Sequence, residues 1–102
     1  MGMDVELRSE SGQVLAEVGD AKSVLSRAVS ANTFSGTRLL RYLMPWGDAM
    51  FNQAQAGALA LDLRDVAEDQ SGKPLAELLL QVAPLVDRPS SEVHTYLWFV
   101  GD

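Results

Sequence analysis

Residues 93–100 read VHTYLWFV, from Val93 through His94, Thr95, Tyr96, Leu97, Trp98 and Phe99 to Val100. β-branched and aromatic residues crowd this stretch, which is the composition of a strand. One parity carries Val93, Leu97 and Phe99, and the other carries His94, Tyr96 and Trp98. Apolar content on both parities places the strand in the interior of a sheet, away from an edge. If Val93, Leu97 and Phe99 face the helices, Tyr96 and Trp98 point to the other side.

Its partners are sought first at the opposite end of the chain. Met3, Val5 and Leu7 alternate with Asp4, Glu6 and Arg8 at the period of a half-buried strand. Ser11-Gly12 supplies a turn, because glycine accepts the positive φ of tight hairpins. In the second strand Val14, Ala16 and Val18 face one way, and Leu15 and Glu17 the other. Asp20 is placed to accept hydrogen bonds from the first turn of a helix containing Val24, Leu25, Ala28 and Val29. The breaker cluster from Asn32 to Gly36 ends that helix.

The middle of the chain reads less simply. Leu39, Leu40, Leu43 and Met44 fit one helix face, but a segment of only seven residues, 38–44, bounded by Gly36 and Pro45, suits a buried strand better. Pro45 also disfavours helical dihedrals at Met44. Residues 38–44 are therefore assigned to a third strand. Pro45-Trp46-Gly47-Asp48 is a turn in which Asp48 could cap the next helix. That helix carries the apolar stripe Ala56, Leu59, Ala60, Leu63, Val66 and Ala67, with Ala58, Asp62, Asp65 and Asp69 on a solvated face. Ser71-Gly72 breaks it. Pro74 opens a further helix with Leu75, Leu78, Leu79 and Val82 inward, which Pro84 ends or kinks. Arg88-Pro89 leads into the last strand.

The expected fold is α+β: a four-stranded, mainly antiparallel sheet with two to three helices on one face, in the order β-β-α-β-α-α-β. The 102 residues, 47% of them hydrophobic, form one domain over residues 1–102. Surface scaling expects about 5,700 Å² of exposed area when folded. Met1-Gly2 before Met3 reads as a cloning remnant, although a natural start has the same appearance.

Charge and composition narrow the function. The net charge is −6, which repels phosphate backbones and anionic lipid, so neither nucleic acid nor a membrane surface is an expected partner. Residues 21–47 hold Lys22, Arg27, Arg38 and Arg41 and no acid, between two acidic arms. Such segments are expected to neutralise one another in the fold. With no cysteine, no apolar run near the roughly 18 residues of a membrane span and no secretory signal, the expected location is the cytoplasm.

Most catalytic templates fail by inventory. There is one histidine and no Gly-rich phosphate loop. Nothing marks a serine as the partner of His94. Asp62 and Asp65 share a helix face, but Arg64 interrupts them and no apolar wall accompanies them, so no metal and no cofactor is expected. The candidate binding residues are Glu6, Glu17, Trp46, Asp48, Tyr96 and Trp98. Tyr96 and Trp98 stand on the outward parity with Glu6 and Glu17 near them, an aromatic and acidic face of the kind that anchors protein interfaces. Trp46 either lids the core or binds, and Asp48 either caps a helix or assists it.

A small, acidic, cysteine-free α+β chain resembles many bacterial immunity and antitoxin-type proteins, a likeness of class that singles out no residue. The leading expectation is a non-enzymatic protein-binding module, an immunity-like or antitoxin-like inhibitor of a basic partner. One alternative is a small ligand-binding domain or enzyme with a pocket near His94. Another is a homodimer formed through the exposed sheet with no other partner.

Overall fold

The computed structural model describes residues 2–20, 22–87 and 94–101. Three of the expectations above, Met1, Val93 and the Arg88-Pro89 lead-in, lie outside the described residues. The strands are β1 (Asp4–Ser9), β2 (Val14–Val18), β3 (Asp48–Phe51) and β4 (Thr95–Val100), and the helices are α1 (Val24–Ser30), α2 (Ala56–Asp69) and α3 (Pro74–Val86). The sheet is antiparallel in the order β2-β1-β4-β3. The chain is an α+β fold in the expected order. Its exposed area of 5799 Å² matches that of a folded chain of this mass.

β4 is an interior strand, bonded to β1 along Asp4↔Val100 to Ser9↔Thr95 and to β3 along Asp48↔Val100 to Phe51↔Leu97. Thr95, Leu97 and Phe99 are buried, while Tyr96, Trp98 and Val100 are half-buried. Inward residues of the sheet, among them Val5, Leu7, Phe51, Leu97 and Phe99, join Leu25, Leu59, Leu63, Leu79 and Val82 in one core. Backbone amides of Leu97 and Phe99 should therefore be among the slowest in the molecule to exchange with deuterium. Rapid exchange at Leu97, measured by NMR, would contradict the interior position of this strand.

The hairpin turns through Gly12 at φ +92°, where Gly12 donates to the Ser9 carbonyl and Ser9 donates to that of Gln13. The alternation read for β2 requires one correction. Leu7 pairs with Ala16 but Arg8 pairs with Val14, so Leu15 is an extra, bulged residue. Residues directly opposite in a ladder share a face, so the bulge swings Val14 to the Arg8 side, where it is 47% exposed.

Asp20 is buried and gathers three chain segments. Its carboxylate accepts from the amides of Met3, Leu25 and Ser26. It thus serves the first turn of α1, as expected, although Ser23 occupies the position next to the helix.

Residues 38–44 are not a strand. They contain a single 3₁₀ turn, Leu40–Tyr42, and the third strand lies after Pro45 instead of before it. The cause is Asp62. Its carboxylate accepts from the successive amides of Arg38 (3.0 Å), Leu39 (2.8 Å) and Leu40 (3.3 Å). Adjacent amides turned toward one acceptor cannot alternate outward as a ladder requires. Asp62 is accordingly buried on the core side of α2, not solvated as its sequence context indicated, and Ala60 is exposed in its place.

Two further boundaries differ. Asp48 begins β3 and caps no helix. Asn52 and Gln55 instead form a reciprocal capping box ahead of α2, through a 3₁₀ turn at Gln53–Gln55. α3 continues past Pro84 to Val86. Proline there removes a hydrogen bond to the Leu80 carbonyl, but both residues are exposed and water can serve that oxygen.

Candidate functional site

All three helices contribute to the core on one side of the sheet, and the other side faces solvent. The register brings Glu17, Glu6, Trp98 and Met50 into one row across the four strands. At ordinary strand spacing this row is about 14 Å long. Val14, Arg8 and Tyr96 form a second row, and Asp4, Val100 and Asp48 a third. Each strand contributes its outward parity, so the face follows directly from the pleat.

The rows have an internal logic. Glu6 and Glu17 are directly opposite, and like charges so placed destabilise a sheet. Arg8 relieves Glu6 alone: its Nε and Nη2 both reach Glu6 Oε1, at 2.7 and 2.6 Å. The same guanidinium lies over the Trp98 ring, 4.5 Å from its centroid. That stack and the flanking strands keep Trp98 half-buried. Glu17 is exposed and has no side-chain partner among the described residues. Asp4 accepts from the Asp20 amide and Asp48 from that of Gly101, and among the described residues neither forms an ion pair.

Trp46 stands beside this face and does not lid the core, being 69% exposed. It occupies a turn closed by the Gly47 amide on the Met44 carbonyl at 3.2 Å. The turn rests on Gly101. A side chain at Gly101 would stand 2.7 Å from the Pro45 carbonyl oxygen and 2.9 Å from the Gly47 nitrogen. From Tyr42 to Met50 every second residue is exposed, giving Tyr42 at 62%, Met44 at 50% and Met50 at 48% around Trp46.

Glu6, Glu17, Tyr96 and Trp98 therefore share the face with Asp48, and Trp46 flanks it. Sequence reasoning did not place Met50 on this face, because a helix was expected after Asp48, and it missed the stack of Arg8 on Trp98, which depends on strand pairing. His94 is on the surface, its Nδ1 3.9 Å from Glu10, and both side chains are mostly exposed. It lines neither the apolar cleft of about 490 Å³ between α2 and α3 nor the cleft of about 310 Å³ bounded by Phe34, Leu40 and Leu43. Among the described residues no three His, Cys, Asp or Glu side chains cluster as a metal site would require. No helix among them is long and apolar enough to cross a membrane.

The basic middle segment is partly neutralised. Arg38 pairs with Asp62 at 3.1 Å and Asp65 at 3.4 Å, and these partners hold its guanidinium protonated. Burial by itself would push the Asp62 carboxyl up. The amides of Arg38, Leu39 and Leu40, with the Arg38 side chain, outweigh it and hold the group below the ordinary carboxylate value.

Comparison of the chain with family models, curated proteins and solved structures finds no significant match.

Proposed function

We propose that this protein is a non-enzymatic binding module that captures a basic protein partner on the open face of its sheet, in the manner of an immunity-like or antitoxin-like inhibitor. The observation that carries the reading is the row Glu17, Glu6, Trp98 and Met50. Arg8 offsets the charge of Glu6 but leaves Glu17, directly opposite it, without a counter-charge among the described residues, and a cation of the partner set beside Glu17 would supply one. Trp98 and Tyr96 supply large, half-covered aromatic area of the kind that dominates binding energy. The face carries Asp4, Glu6, Glu17 and Asp48 against Arg8 alone, which favours a basic surface over a second copy of the same chain. The absence of cysteine suits the reducing cytoplasm, where we place the encounter.

Glu17→Gln tests this in two ways. Removing one charge of the pair should raise stability by about 0.2–1 kcal/mol in a urea melt. The same variant should slow association with the partner and flatten its dependence on salt. For capture experiments from cell extract, the relevant species is one retained at low salt, released at high salt and lost with Trp98→Ala. A protein retained equally by wild type and Trp98→Ala, or a stable homodimer at micromolar concentration, would overturn the reading.

A further inference from the structure

We infer that the open edge of β3 accepts an added strand from the partner, a segment carrying lysine or arginine, with Trp46 and Met50 as its side-chain anchors. The inference rests on the binding role proposed for the sheet face and names the form in which the partner arrives.

The sheet ends in two edge strands, β2 and β3. An edge leaves alternate amides and carbonyls free to pair with another chain. Among the described residues, no backbone group of Asp48–Phe51 bonds to any element other than β4. β2 is open as well, but the bulge at Leu15 breaks its repeat, which is one way edges are protected. β3 keeps register through four consecutive pairs and contains neither lysine nor proline.

The edge is also held ready. Gly101 supports the Met44–Gly47 turn from below, and its amide donates to Asp48 Oδ1 at 3.1 Å. Trp46 and Asp48 are thus fixed at the start of the strand, which lowers the ordering cost of binding. Four residues of ladder hold a partner weakly, so strand addition at this edge needs side-chain anchors as well. Trp46 at 69% exposure and Met50 at 48% provide them at either end. Asp48 is the only charge within the strand and favours a cation opposite. A second copy would bring another net charge of −6 to the same edge, so a basic segment is the better occupant.

The test uses the whole protein and a synthetic peptide of roughly eight residues alternating lysine and valine, at about 1 mM. Amide exchange at Asp48–Phe51 should slow by about tenfold, and a glutamate–valine peptide should leave it unchanged. Trp46→Ala, at an exposed position that leaves the melt unaltered, should weaken the peptide's affinity about tenfold or more. Unchanged exchange at β3, equal slowing by the acidic peptide, or slowing at β2 instead would overturn the inference. If the Trp98 indole N–H resonance shifts without protection of β3, strand addition fails and the face reading stands. If neither responds, both fail.

Discussion

Asp62→Ala is expected to cost about 3–5 kcal/mol of stability and to lower the melting temperature by about 15–25 °C. The carboxylate is fully buried and is the acceptor for three successive amides and for the Arg38 guanidinium. Alanine leaves the Leu40 amide, on a residue only 1% exposed, without an acceptor or water. Asp62→Asn should cost less, about 2 kcal/mol, because one oxygen remains while its amide nitrogen must confront a backbone N–H. The pH dependence has a definite sign. The folded carboxyl lies below its ordinary value of 3.8, so its contribution is complete above about pH 5 and is lost as pH falls through that value toward the lower folded one. Melts of wild type and Asp62→Asn across this acid range should converge as pH falls. Parallel curves, or a change in melting temperature of only a few degrees for the alanine variant, would show that the 38–40 segment is held by something else.

Adjacent residues on β4 should give opposite results. Phe99 is fully buried and meets Phe51 edge-to-face, with ring centroids 5.7 Å apart. Phe99→Ala should cost about 3–5 kcal/mol, from lost burial and the cavity left behind. Trp98→Ala removes a half-covered ring and the Arg8 stack, and should cost only about 1–1.5 kcal/mol of stability. Its main effect should be on binding, where loss of a central tryptophan commonly costs about 2 kcal/mol or more. Urea melts read the first quantity and titration with the partner reads the second. A collapse of the Trp98→Ala fold with binding unchanged would place that side chain in the core.

Where a local pattern determined the structure, it was readable. Alternation gave β1 and the inward parity of Leu97 and Phe99, and helical spacing located α1, α2 and α3. The reading failed where distant groups decide. Nothing within residues 38–44 reveals that their amides turn toward a carboxylate more than twenty positions away. β3 is only four residues long and begins with aspartate, so its strand character comes from pairing with β4. A signal for Asp62 did exist. Leu59, Asp62, Leu63 and Val66 fall at i, i+3, i+4 and i+7, so the acid sits in the middle of an apolar stripe. The candidate face was legible in its aromatic and acidic members because parity is local. Val14, Met50 and the Arg8 stack were not, because a bulge and two long-range pairings set them.

The pairing of β1 with β4 also governs when the molecule can form. Asp4 lies opposite Val100, so the two central strands come from nearly opposite ends of the chain. During synthesis the first hairpin leaves the ribosome with the inner edge of β1 vacant. At ordinary elongation rates it waits about 4 to 16 seconds for its neighbour. The β1–β4 ladder can close only once residue 100 is available, and a central contact so distant in sequence slows folding. Through that interval the charges of Asp4, Glu6 and Glu17 oppose pairing of the vacant edge with other chains.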